Sequence, residues 1–325
     1  MRRHFKNIAF FLLILSFLFT TACTKSTTET TTLTIGTGGL TGVYYPTGGN
    51  IASIVNDQGY NFQIEVQSTA GSVYNINAVL DGTFDLGIAQ SDRQYQAYNG
   101  TADWASTGAQ TKLRAVFSIY PESVTLLASI LSGINSISDL VGKNVNLGNS
   151  GSGHLQNAKD ILDAFGVSEN NLSAQYLAPS EAPALLQNQT IDAFFYTVGH
   201  PNTNILDATS GNVSVKIIDI QGTQLDTLLA KYSYYAASTI PISLYPNATN
   251  QIDVNTFGVK ATLVTSSDVD ADTIYKITKA IFESLTEFKQ LHSAYSTMTQ
   301  ANMLTGLPAP LHDGALRYYQ EIGLK

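Results

Sequence analysis

The chain has 325 residues, 44% of them hydrophobic, with 17 basic against 25 acidic side chains and a formal charge of −8. That balance offers no basic surface for nucleic acid or for an anionic membrane. With Cys23 as the single cysteine, no internal disulfide is possible, and stability must come from core burial, for which this length is ample.

Residues Met1 to Cys23 combine a basic start (Arg2, Arg3, Lys6), an apolar run from Ile8 to Phe19 and small residues ahead of the cysteine. This is the layout of an export signal. The run falls well short of the ~20 residues that span a bilayer as a helix, so residues 1–22 are predicted to be removed, leaving 14 basic against 25 acidic side chains. Cys23 at the cleavage point resembles the lipidated cysteine of bacterial lipoproteins, although Thr20 stands where that pattern usually has leucine. Residues 23–32 are polar and read as a tether, which places the folded part outside the cytoplasm and starts it at Leu33.

From Leu33 a short apolar strand enters a turn crowded with Gly36, Gly38, Gly39 and Gly42, and a helix follows through Ile51, Ile54 and Val55. Such a turn is either an anion seat at a helix N-terminus or a place where strand and helix pack closely. Phe62, Ile64 and Val66 alternate with polar residues, the period of a strand. Ser68 to Ser72 then opens a helix through Ile76, Val79 and Leu80, and the strand Phe84 to Ala89 runs into Gln90-Ser91-Asp92 and another helix. The repeated strand, turn and helix predict a parallel sheet with helices on its faces and a ligand at the carboxyl ends of the strands. Leu113 to Ile119 is predicted as a strand broken at Tyr120-Pro121-Glu122, where the chain first crosses between lobes.

The second half repeats the plan. A strand over Asn144 to Leu147 leads into the turn Gly148 to His154 and a helix through Leu155, Ala158, Ile161 and Leu162. Ala174 to Leu177 is a strand, Ser180 to Gln187 a helix with Ser180 as its N-cap, and Asp192 to Thr197 a strand. Phe257 to Thr265 should return the chain to the first lobe. Ile274, Ile277, Ile281, Leu285 and Phe288 follow one long helical stripe, and Ala315, Leu316, Tyr319 and Ile322 another, together a cap on that lobe.

Three chemistries compete for the glycine-rich turns. A dinucleotide site needs G-x-G-x-x-G and an acid about 20 residues on; Gly36, Gly38 and Gly42 miss the spacing, and Glu65 sits mid-strand. A hydrolase elbow needs G-x-S-x-G, which Gly148-Asn149-Ser150-Gly151-Ser152 fails at its last position. His154, His200, His292 and His312 are scattered with no metal spacing, so neither catalysis, metal nor cofactor is expected. Binding without reaction fits best: converging helix N-termini hold a carboxylate by N–H and hydroxyl groups, each dipole worth roughly 0.3–2 kcal/mol and each charge-assisted bond about 1.5–3 kcal/mol.

GTGGLTGVYYPTGG, AGSVYN (Ala70 to Asn75), FDLGIAQSD (Phe84 to Asp92), IYPE (Ile119 to Glu122), GKNVNLGNSGSGH (Gly142 to His154), IDAFFYTVGHP (Ile191 to Pro201) and ITKAIF (Ile277 to Phe282) occur in that order. The series resembles the extracytoplasmic solute receptors of TRAP transporters, TAXI subfamily. The resemblance implies an α/β, two-lobed periplasmic-binding-protein fold of type II-like form, each lobe a mostly parallel sheet with helices on both faces. Residues 33–119 plus 258–325 would form one lobe and 120–257 the other. It further implies a non-enzymatic receptor for a small carboxylate such as glutamate or a keto acid, delivered to TRAP membrane subunits. Carried over by position, the ligand contacts are Gly38, Tyr44, Ser72, Gln90, Ser91 and Asp92 from one lobe, with Ser150, Gly151, Ser152, Gly153, Phe195 and Gly199 from the other. Asn149-Ser150 replaces the usual Ala-Pro, His154 a Thr, and Arg93 an apolar residue, which leaves the solute's identity open. The alternatives are a binding protein of an ATP-driven importer for a neutral solute and an exported hydrolase.

Overall fold

A computed structural model describes residues 30–325; the export signal, Cys23 and most of the tether lie outside the described residues. The strands are β1 (Thr31–Gly36), β2 (Phe62–Gln67), β3 (Leu86–Gln90), β4 (Leu113–Ser129), β5 (Asn144–Asn146), β6 (Ser173–Gln175), β7 (Ala193–Val198), β8 (Val215–Ile217), β9 (Ala236–Ile240) and β10 (Val254–Ser266). The helices are α1 (Tyr44–Asn56), α2 (Ser72–Leu80), α3 (Ser91–Asn99), α4 (His154–Ala164), α5 (Ala182–Gln187), α6 (Thr203–Thr209), α7 (Thr223–Lys231), α8 (Ala271–Glu283), α9 (Leu285–Gln290) and α10 (Asp313–Glu321).

Hydrogen bonds connect the strands in the order β2-β1-β3-β10-β4-β7-β5-β6, with β9 on β10 and β8 on β4. At one end β1 runs parallel to β2 and β3; at the other β5 runs parallel to β6 and β7. The two lobes are joined by the long strands β4 and β10, antiparallel to each other and to their neighbours. The first half of β4 and the second half of β10 belong to the β1 side, and their other halves carry β7, β8 and β9.

The break predicted at Tyr120-Pro121-Glu122 does not occur: β4 continues through it, with Pro121 opposite Lys260 and a register shift between Lys260 and Thr262. Proline removes one ladder donor, and the irregularity absorbs that loss without ending the strand. The predicted long C-terminal helix is divided at Ser284, a residue type that competes for its own backbone. Its stripe nonetheless continues, for Phe288 stacks on Tyr295 with ring centroids 4.8 Å apart. The helix expected from Ser180 starts at Ala182 after Glu181.

Strand alternation divides the core. On β7, Phe194, Tyr196 and Val198 join the cluster containing Ile35, Ile51 and Phe117, while Ala193 and Phe195 join the one containing Leu126, Ile161 and Phe257. The opening glycines mark close packing: a Cβ on Gly36 would lie 2.6 Å from the Asn75 side chain, and one on Gly48 2.4 Å from that of Thr37. No helix among the described residues is long and apolar enough to cross a membrane.

Candidate functional site

The turns after β1, β2 and β3 face those after β5, β6 and β7 across a cavity of about 100 Å³, lined by Gly38 to Tyr44 (without Leu40), Thr69 to Ser72, Gln90 and Glu122 on one side and Asn149, Ser152 to His154, Ala178 to Ser180 and Tyr196 to Val198 on the other. This is room for a metabolite, far below the 300–1,000 Å³ of drug-sized pockets. The two jaws touch directly. Val73 and Tyr74, at the start of α2, donate their N–H groups to the Gly151 carbonyl at 3.1 and 3.2 Å. Asn149 Nδ2 donates to the Ala70 carbonyl at 3.0 Å, Asn202 Nδ2 to the Thr41 carbonyl at 3.1 Å, and Asn157 Nδ2 to Asp92 Oδ2 at 2.6 Å. Gly151 has φ +80°, a conformation open to glycine that turns its carbonyl toward the positive end of α2.

Glu122 lies at the crossing of β4 between the lobes and is 2% exposed. Tyr44 donates its hydroxyl to Glu122 Oε2 at 2.7 Å and lies 3.5 Å from Ser72 Oγ, which accepts the Gln90 N–H at 3.1 Å. Burial pushes the Glu122 carboxyl up to about 8, Tyr44 pulls it partly back, and the nearby Asp92 charge adds to the rise. At neutral pH Glu122 is therefore mostly protonated, and Tyr44 is raised by its own burial and by Glu122.

His154 opens α4 and sits edge-on to Tyr196 at 5.4 Å. Burial lowers it to about 3, so its imidazole is neutral. Its Nε2, Thr197 Oγ1 and Gln90 Oε1 are buried without hydrogen-bond partners among the described residues, and all three residues line the cavity. Leaving such groups unpaired costs about 1–3 kcal/mol each. The N–H groups of Val43 and Tyr44 at the start of α1 also lack partners among the described residues, as expected of a helix N-terminus without a side-chain cap. Among the described residues no lysine or arginine lines the cavity.

The other histidines among the described residues make hydrogen bonds within the fold: His200 bonds Tyr245 and Thr125, His292 caps the Ala294 N–H, and His312 bonds Gly314 and Val269. No cluster of three or more metal-ligating side chains occurs among the described residues. Chemically the cavity can bind and orient a solute.

Residues 35–323 match the profile of the NMT1-like family. The chain belongs to that family. Solved structures with the same fold include one described as "Putative L-Cystine ABC transporter from Listeria monocytogenes", 13% identical over 85% of this chain and 99% of that one, with a TM-score of 0.51. Another comes from work on glutathione import through a cystine ABC importer of Streptococcus mutans, 14% identical over 82% of this chain and 94% of that one, TM-score 0.51. At these identities the likeness is one of fold: the two-lobed, periplasmic-binding-protein arrangement.

In this NMT1-like chain Gly38, Tyr44, Ser72, Gln90, Ser152 and Gly153 meet at the cavity. The remaining sequence-predicted residues lie elsewhere. Ser91 accepts the Lys260 N–H. Asp92 is turned to Arg93 and Asn157, its Oδ2 3.1 Å from Arg93 Nη2. Ser150 is exposed, and Gly151 serves through its carbonyl to α2. Phe195 faces the second core because the two-residue period of β7 gives the cavity to Tyr196 instead. Gly199 packs on Tyr120, whose ring a Cβ there would meet at 2.6 Å. Ser152 uses its N–H and hydroxyl on the Asn149 carbonyl, at 3.3 and 2.6 Å, so it shapes the turn. Sequence reasoning missed Glu122, His154, Tyr196 and Thr197 as lining residues. For Glu122 a signal exists, a lone acid inside the apolar run Val116 to Leu127, since a charge there must be paired or neutralised. Nothing local marks the others.

Proposed function

We propose that this NMT1-like protein is an extracytoplasmic receptor that closes on a small organic solute bearing a carboxylate and delivers it to membrane transport subunits. The observation that carries this reading is the set of buried, unpaired polar groups converging on one small cavity between two lobes. A neutral His154 with its proton on Nε2 and the free N–H groups of α1 are the donors for a carboxylate. Closure is then a shift between open and closed populations driven by contacts that only the closed form makes. The test is a thermal-shift and calorimetric screen of dicarboxylates, keto acids and acidic amino acids against sugars. Stabilisation by sugars alone would refute it.

For the membrane partner there are two readings. The motif series supports TRAP subunits driven by an ion gradient, and the structures of ABC-type binding proteins with the same fold support an ATP-driven importer better. Uptake of labelled solute into vesicles energised by either ATP or an ion gradient separates them. Lipid attachment at Cys23 belongs to the same proposal: a fatty-acid analogue should label the wild type and not Cys23→Ser, and labelling of both would refute it.

A further inference from the structure

The carboxylate reading accounts for the donors around the cavity and leaves its acceptors without a role. Glu122 presents a carboxyl whose one side-chain hydrogen bond among the described residues is the Tyr44 hydroxyl on Oε2, which leaves Oε1 as an acceptor. Gln90 Oε1, from the opposite side of the Tyr44–Ser72 chain, is buried and unpaired. Both residues line the same cavity, and no lysine or arginine among the described residues lines it. Arg93, the nearest buried cation in sequence, is held by Asp92 at 3.1 Å, Asp103 at 3.4 Å and Asp160 at 4.0 Å. A solute that fills this space must bring its own donors to these acceptors.

We infer that Glu122 is the seat of an ammonium group, and that the solute is an amino acid rather than the keto acid of the same skeleton. The inference rests on the carboxylate reading for one end of the solute and adds the other end. An ammonium has three N–H donors; Glu122 Oε1 and Gln90 Oε1 take two of them, and the opposite charges attract at a carboxyl that is itself buried. A keto oxygen at the same place brings no donor: it leaves Gln90 Oε1 unpaired and bonds Glu122 only while that carboxyl keeps its proton, whereas an ammonium supplies a donor to both. The titratable groups facing Glu122 are Tyr44 from α1, Tyr196 from β7, Tyr120 of its own strand and the Asp92 charge at the start of α3. None of them is a cation, so the charge that balances an ionised Glu122 has to come from the solute. Glu122 also sits on the strand that crosses between the lobes, so an ammonium held there is contacted from the jaw carrying Tyr44 and Gln90 at the crossing itself.

The experiment uses the purified full-length protein and three pools at matched concentration: the proteinogenic amino acids, the 2-oxo acids of the same skeletons, and the amines that lack the carboxylate. Thermal unfolding is followed for the unaltered protein and for Glu122→Gln. The amino-acid pool should raise the melting temperature of the unaltered protein by about 5 °C at a hundredfold excess over Kd. The 2-oxo acid pool should not, and Glu122→Gln should lower affinity about 30-fold or more, reducing the shift to about 1.6 °C or less. Equal stabilisation by amines lacking the carboxylate would uphold the ammonium seat and overturn the carboxylate reading. Equal stabilisation by amino acids and 2-oxo acids would overturn the ammonium seat and leave that reading standing. No stabilisation by any pool would overturn both. Comparison of the pools on the unaltered protein carries the test by itself if the variant does not fold.

Discussion

Gly153→Ala should act as a wedge between the jaws. Gly153 belongs to the lobe of α4, and a Cβ placed on it would lie 1.7 Å from Gln90 Oε1, 2.5 Å from Gln90 Cδ and 3.0 Å from Ser72 Oγ, all on the opposite lobe. Ordinary contacts need about 3.5–4.0 Å. The clash is therefore relieved either by the cleft staying ajar or by the Gln90 side chain swinging into the cavity, where it competes with solute. The backbone at Gly153, φ −79° and ψ −35°, suits alanine, so neither lobe is strained on its own. Overpacking of this kind costs about 1–3 kcal/mol. Because the open form does not feel it, the whole penalty falls on the closed, solute-holding form, and affinity should drop about 5- to 150-fold. Calorimetric titration with whichever amino acid stabilises the unaltered protein measures the drop, and the melting temperature without solute reports on the fold. Affinity within twofold of the unaltered protein would refute the closure geometry.

The buried carboxyl and imidazoles set a pH optimum. Glu122 has a folded-state value raised from 4.5 to about 8, so its contribution is fully present below 4.5 and is lost as pH rises through 8, at about 1.4 kcal/mol per unit. His154 and His200 are lowered by burial from 6.5 to about 3, so theirs is present above 6.5 and is lost as pH falls toward 3. Urea midpoints should peak near pH 6.5, and Glu122→Gln should flatten the alkaline side; an equally steep decline in the variant would refute the assignment. Tyr44→Phe removes the 2.7 Å bond to Glu122, which favours the charged carboxyl, and should weaken binding of an amine-bearing solute roughly 10- to 100-fold, as read by titration. Arg93→Met leaves Asp92 buried beside Asn157 without its cation and should lower stability by about 3–5 kcal/mol; a loss under about 1 kcal/mol in guanidinium unfolding would show that the cluster is not held by charge.

The alternation and glycine turns of the chain made the repeating strand, turn and helix legible, and with them the end of the sheet where the cavity lies. Residues at helix starts were legible too, since Tyr44, Ser72 and Gly153 stand where a turn must deliver them. Two kinds of information were not local. Which of Phe195 and Tyr196 faces the cavity depends on the register of β7 against β4, where Phe195 pairs with Leu126 and Tyr196 with Thr125, and a shift of one residue exchanges the two faces. Pro121 read as a break because proline ends most ladders, yet β10 supplies a compensating irregularity from more than 130 residues away.

That continuity is what gives Glu122 its place. Had the strand ended at Pro121, the acid would sit in a solvated loop with an ordinary affinity for protons and no fixed aim. With β4 running through, Glu122 is paired opposite Val259 on β10, its side chain is fixed by Tyr44, and its burial makes an unpaired charge unfavourable. A group in that condition is stabilised in its ionised form only when a cation arrives, and the cation reaches it only between closed jaws. The energy of closing and the preference for an amine then come from one side chain, which is why changes at Glu122 and at Gly153 should lower affinity by different routes: the first removes the charge that rewards closure, the second removes the space in which closure occurs.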